Sequence, residues 1–299
     1  MTDSKTVTLR TLIGDYRVTA ALKSGQVRSP HVRLDFADIK PVSSGFKRTV
    51  RDLEFDVSEL AIVTYLMAKA HGKPLTLLPA VLVARFQHPL LLYNAERGPL
   101  APGDLAGRRV GVRSYSVTTG AWIRGILTDD YGIQPEQVKW VTFEEAHVAE
   151  FRDPPNVERA PAGAKVVDML LAGEIDAAIV GDGPPADPRL KTLLPDPAAA
   201  ARAWHAKHGA IQVNHLVVVK NSLSKSNPQA IREIYRLLVE SKQAAGLPQS
   251  GALDLNPFGV EANRRNLEVA VDCCYRQGLI PRRYAVDELF DDTTRTLGA

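Results

Sequence analysis

The chain has 299 residues, of which 45% are hydrophobic and 24% charged, and carries a formal charge of +3 at pH 7. This is ordinary globular composition; it excludes a disordered chain, a collagen-like fibre and a coiled coil, and the length predicts two lobes. The small positive excess is not the dense basic field of a nucleic-acid binder, and it suits an anionic small molecule if the arginines converge on one cleft.

The opening Met-Thr-Asp-Ser-Lys lacks the basic, apolar and small-residue succession of a secretory leader, and no apolar run reaches the roughly 18 residues of a membrane span. A cytoplasmic protein with no membrane partner is expected. Weak alternation predicts strands over 7–13 and 31–36. Helical spacing over 56–71 predicts a helix capped by Asp56 or Ser58 and stopped at Gly72-Lys73-Pro74. Continuous apolar runs over 75–83 and 89–93 read as strands covered on both faces.

From there strands and helices alternate. Strands are predicted over 109–112, 137–143, 176–180 and 211–220, with helices over 116–131, 164–171 and 197–207 between them. Long amphipathic helices follow over 228–245 and 260–276, and a shorter one over 284–290. The proline-rich stretch 152–163 reads as a surface loop. The two cysteines, Cys273 and Cys274, are sequence neighbours; they form neither a disulfide framework nor a zinc spacing and read as buried thiols on a helix. The alternation predicts α/β lobes with mostly parallel sheets, residues 1–95 plus 212–299 forming the first lobe and 96–211 the second. Ligands of such folds sit at the carboxyl ends of strands and in the cleft between lobes.

The strand ends carry the chemistry. Asp15 and Tyr16 follow the first strand, and an arginine-rich turn with Arg48 and Arg51 precedes the predicted long helix. Arg85 and His88 follow the apolar strand. The segment Arg113-Ser114-Tyr115-Ser116-Val117-Thr118-Thr119 opens a helix with hydroxyls, backbone amides and one fixed charge, a composition fit for a carboxylate; Ser116 or Thr118 also serves as a plain N-cap. Of the seven histidines, His88 and His215 lie at predicted strand boundaries beside apolar residues, where an imidazole suits proton transfer near neutral pH. No G-x-S-x-G elbow, H-E-x-x-H, P-loop or strand-following G-x-G-x-x-G occurs.

The order of elements resembles the type II periplasmic-binding-protein fold, and within it the motifs resemble the 4,5-dihydroxyphthalate decarboxylase family. The resemblance rests on Asp15-Tyr16 with Thr19, Leu22, Gly25 and Val27; on Phe46-Lys47-Arg48; and on the stretch from Leu53 to Glu59. It continues through Arg85-Phe86 with His88, Trp122-Ile123-Arg124-Gly125-Ile126-Leu127, Gly173-Glu174-Ile175-Asp176-Ala177, His215, Pro257-Phe258-Gly259-Val260-Glu261-Ala262-Asn263-Arg264 and Gln277-Gly278-Leu279. It implies a cytoplasmic, non-oxidative decarboxylase of a hydroxylated phthalate-type acid, converting 4,5-dihydroxyphthalate or a close analogue. The rival implied by the fold is a solute-binding protein for a small organic anion.

An aryl carboxylate leaves once its ring carbon is protonated, with an ortho or para hydroxyl donating electrons. Such an enzyme needs cations for the spectator carboxylate, an acid for the ring carbon and a partner for the phenol. The candidate anchors are Arg51, Arg85, Arg113 and Arg124, with Ser114, Ser116, Thr118 and Thr119 supplying hydroxyl and amide contacts. Arg124 has an alternative in ion pairing with Asp129 or Asp130. The proton donor is His88 or His215, and Asp15 or Asp182 orients it or accepts a phenol proton. No metal-ligand cluster stands out, so no metal and no cofactor are expected; the expected partner is the aromatic acid itself, within a homo-oligomer.

Overall fold

A computed structural model describes residues 6–181, 183 and 185–298. The strands are β1 Val7–Leu12, β2 Val32–Phe36, β3 Val57–Ala61, β4 Leu75–Ala84, β5 Leu91–Asn94, β6 Arg109–Val112, β7 Lys139–Thr142, β8 Val157–Arg159, β9 Ala177–Ile179, β10 Leu190–Thr192 and β11 Val213–Lys220. The helices are α1 Ala20–Lys23, α2 Phe46–Arg51, α3 Ile62–Ala70, α4 Thr118–Tyr131, α5 Val166–Ala172, α6 Pro197–His208, α7 Asn221–Ser226, α8 Pro228–Ala244 and α9 Val260–Arg276. Among the described residues no helix is long and apolar enough to cross a membrane.

The chain divides into two compact units, one of Met1–Arg85, Val213–Asp272 and Ile280–Ala299, the other of Phe86–Gln212 and Cys273–Leu279. The expected first crossing at 95/96 lies too late, because β5 pairs with β9 and β10 and so belongs to the second sheet. The late segment 273–279 joins the second unit because Cys273 and Gln277 bond to the Ala121 carbonyl.

The first unit is built on a five-stranded sheet ordered β2-β1-β3-β11-β4. β1 runs parallel to β2 and β3, while β11 runs antiparallel to β3 and β4. β3 is buried along its whole length, as a strand covered on both faces must be. The predicted helix over 56–71 is therefore two elements: 57–61 extends in the sheet, and the helix starts only at Ile62 with Ala61 at its N-cap. A short apolar run fits either periodicity, and sheet pairing decides it. Pro79 sits in β4, which is an edge strand, where a missing N–H is tolerated. That edge is covered by the turn 257–259, whose Gly259 N–H donates to the Pro79 carbonyl. The Asn263 side chain holds the turn through the Pro257 and Gly259 carbonyls. Leu9, Val57, Leu78 and Val217 meet Ile231, Ile234 and Leu238 of α8 in the core.

The second unit is built on a six-stranded sheet ordered β10-β5-β9-β6-β7-β8. β6 is parallel to β7 and β9, and β8 to β7, while β5 is antiparallel to β9 and β10. β8 emerges from the stretch expected to be only loop. Leu92, Val141, Met169, Leu170, Ile175 and Ala178 form its core. β6 leads through residues 113–117 into α4, which ends at Gly132 in the left-handed conformation, φ 70°, the usual glycine stop. The arginine-rich turn at 46–51 is the helix α2, and the segment 284–290 holds only the 3-10 turn Val286–Leu289.

Candidate active site

In the first unit, β11 places His215 next to β3. Val217 lies opposite Glu59 and His215 opposite Ala61, so Glu59 and His215 are diagonal neighbours on one sheet face. On its other side the ladder between β11 and β4 slips at His215, Leu216 and Val217; such irregularities re-aim side chains at sites. The Glu59 side chain is fully buried. Its Oε1 accepts the Nδ1 side of the His215 ring at 2.6 Å and the Tyr16 hydroxyl at 2.6 Å, and its Oε2 accepts the Gly14 N–H at 2.8 Å. The Phe46 ring packs edge-on to the imidazole at 5.2 Å. Burial, with the Glu59 charge beside it, pushes the Tyr16 phenol far above its usual range, so it remains a donor. The His215 side chain keeps 20% exposure. A carboxylate that holds Nδ1 leaves Nε2 as the working nitrogen, in the manner of hydrolase dyads.

Glu59 and Tyr16 were not among the expected site residues. The expected orienting group, Asp15, is exposed and paired with Lys23 and Lys40, whose charges lower its pKa; Glu59 takes its place because β3, not the loop after β1, adjoins β11. Asp182 lies outside the described residues. His88 is fully buried, and neither ring nitrogen has a hydrogen-bond partner. Burial pulls its pKa down to about 4, so it is neutral at pH 7 and has no group to hold it as a proton donor. Arg51 is exposed at the end of α2, and Arg85 is half-buried just after β4.

In the second unit, Ser114, Ser116, Thr118 and Thr119 are all buried, and the two serine hydroxyls lie 3.5 Å apart. The N-cap of α4 is Val117, which offers no side-chain cap bond, in place of the expected Ser116 or Thr118. Arg113 is 42% exposed and reaches Glu144 at 3.3 Å. Arg124 pairs with neither Asp129 nor Asp130, which are taken by Arg276 and Lys207. It is buried instead, its Nε donating to Gln277 at 2.7 Å and Nη2 to the Tyr115 carbonyl at 2.8 Å. The guanidinium lies 3.9 Å from the Tyr115 ring centroid and 5.4 Å from that of Trp140, and its Nη1 has no partner. Arg124 thus supports the 113–117 loop by stacking and a backbone bond. Gly125 allows the close approach of the Gln277 segment: a Cβ there would lie 3.0 Å from the Cys273 sulfur. Among the described residues no three His, Cys, Asp or Glu side chains gather as a metal ion would require.

No protein-family model matches the sequence. Over 205 residues the chain is 30% identical to 4,5-dihydroxyphthalate decarboxylase of Pseudomonas putida, with 64% of this chain and 79% of that protein covered. The chain belongs to the 4,5-dihydroxyphthalate decarboxylase family. A second member, 4,5-dihydroxyphthalate decarboxylase of Comamonas testosteroni, is 27% identical over 251 residues, covering 78% of this chain and 74% of that protein. Among solved structures, the alkanesulfonate-binding protein SsuA from Xanthomonas axonopodis pv. citri, bound to MOPS, superposes with a TM-score of 0.58 at 12% identity, covering 95% of this chain and 98% of that one. That likeness shows the periplasmic-binding-protein fold, which the decarboxylase family member described here shares.

Proposed function

We propose that this chain is a non-oxidative decarboxylase of a hydroxylated phthalate-type acid, converting 4,5-dihydroxyphthalate to protocatechuate or acting on a close analogue, with His215 as the proton donor. Family membership supplies the reaction class, and the observation that carries the assignment is the buried Glu59 carboxylate bound to His215 Nδ1. In this reading the protonated imidazole gives its Nε2 proton to the ring carbon that bears the leaving carboxylate. Electron density comes from the para hydroxyl. The bond to the carboxylate carbon then breaks, its electron pair restores the aromatic ring, and carbon dioxide departs. Neutral His215 regains a proton from water, while the Glu59 carboxylate holds Nδ1 and stabilises the imidazolium. In the unit that holds His215, Arg51 and Arg85 are the proposed anchors for the spectator carboxylate; in the other unit, Arg113 with Ser114, Ser116, Thr118 and Thr119 is the proposed anion-binding loop, and Arg124 acts through that loop.

Carbon dioxide release and ultraviolet spectra over a panel of hydroxylated aromatic acids test this. His215→Asn is expected to lose about 10²–10⁴-fold in kcat, the usual worth of a general acid. His88→Gln keeps most of the rate, and a chelator leaves turnover unchanged. If no acid is turned over while one of them raises the melting temperature, the chain is a solute-binding protein and the decarboxylase reading falls.

A further inference from the structure

Glu59 has no lysine or arginine partner among the described residues, so its orientation depends on the donors around it. Oε2 is fixed by the Gly14 N–H at 2.8 Å, and Oε1 is shared by Tyr16 and His215 at 2.6 Å each. The turn that carries Tyr16 is itself tied down. The buried Thr19 hydroxyl donates to the Gly14 carbonyl at 2.9 Å and accepts the Tyr16 N–H at 3.1 Å. The Tyr16 ring folds back over Gly14 so closely that a Cβ at position 14 would lie 2.7 Å from the phenol carbon and oxygen. Any side chain at 14 would displace the hydroxyl from Glu59.

We propose that Tyr16 is a positioning residue for proton transfer: its hydroxyl fixes the Glu59 oxygen that grips His215 Nδ1, and residue 14 is glycine to let the phenol reach that oxygen. The inference rests on the reading of His215 as proton donor, and it concerns a residue that does not itself hand over the proton. A phenol that bound substrate directly would govern KM. A phenol acting through Glu59 governs kcat, and its effect vanishes when the carboxylate is gone.

The test combines Tyr16→Phe, Gly14→Ala, Glu59→Gln and the double variant Tyr16→Phe/Glu59→Gln. Tyr16→Phe, which keeps the ring, is expected to lower kcat about tenfold with KM little changed, and Gly14→Ala to do the same. In the Glu59→Gln background Tyr16→Phe is expected to cost nothing further. Independently of substrate, the imidazole Nδ1–H resonance, assigned by its loss in His215→Asn, is expected to move in Tyr16→Phe. A raised KM with unchanged kcat, a full additional loss in the Glu59→Gln background, or an unmoved imidazole resonance would each overturn the proposal. If the wild type decarboxylates nothing, the functional reading falls by that result, and the resonance still decides the Tyr16–Glu59–His215 linkage. Should Gly14→Ala fail to fold, Tyr16→Phe decides alone.

Discussion

Glu59 concentrates the physics of this molecule in one side chain. A carboxylate out of reach of water is tolerable only when its lone pairs are met, and here three donors meet them. Glu59→Ala strands all three and is expected to cost about 3 kcal/mol or more in urea unfolding. Glu59→Gln keeps the shape and an acceptor oxygen for Tyr16 and His215, but turns its amide N–H toward the Gly14 N–H, so it is expected to cost about 1–3 kcal/mol, less than Glu59→Ala, and to lose rate as well. His215 was legible in the sequence, as an imidazole at a strand boundary. Glu59 was not, because the spacing from Asp56 to His71 fits a helix and puts Glu59 on its polar side. The available signal was an acidic residue inside a run, Val57 to Ala61, that becomes buried throughout. His88 looked equivalent to His215 from its sequence position; only burial without partners sets them apart.

At the scale of elements, α4 and the end of α9 depend on one buried guanidinium. Gln277 gives Arg124 Nε its acceptor and bonds the Ala121 carbonyl with its amide. Gln277→Ala leaves the buried Arg124 Nε without its acceptor, and a loss of about 1–3 kcal/mol is expected, read from denaturant midpoints at unchanged slope. If the 113–117 loop serves the substrate, the same variant also raises KM. The long helices were legible because their apolar spacing is sustained; α9 begins and ends where the amphipathic pattern does. Among the elements that sequence reading missed, β8 and β10 have three residues each, and their strand character comes from the neighbour they pair with rather than from their own residues. The Trp122 to Leu127 motif was visible as a resemblance, but its reason lies in contacts 152 and 153 residues away along the chain.

For the molecule as a whole, stability is expected to depend on pH through His88. Its pKa is about 4 in the folded chain against an ordinary value near 6.5 when unfolded. Between those values the unfolded chain binds a proton that the folded chain refuses, so stability is fully present above about pH 6.5 and declines as pH falls to about 4. The loss approaches about 3 kcal/mol, and His88→Leu is expected to flatten that window in urea midpoints measured from pH 7 to 4. Carboxylates such as Glu233, held near pKa 2 by Arg236, add their share mostly at lower pH. Two α/β units were legible from the alternation of strands and helices; the crossing points were not, because β5 takes its place only by pairing with strands far along the chain. The same feature sets an order on biosynthesis. Arg124 leaves the ribosome 153 residues before Gln277, which at ordinary translation speeds is roughly 10–30 s. The last strand of the second sheet ends at Thr192, so for the latter part of that interval the unit has its strands but not the segment that closes over its buried cation, and its completion waits for Gln277.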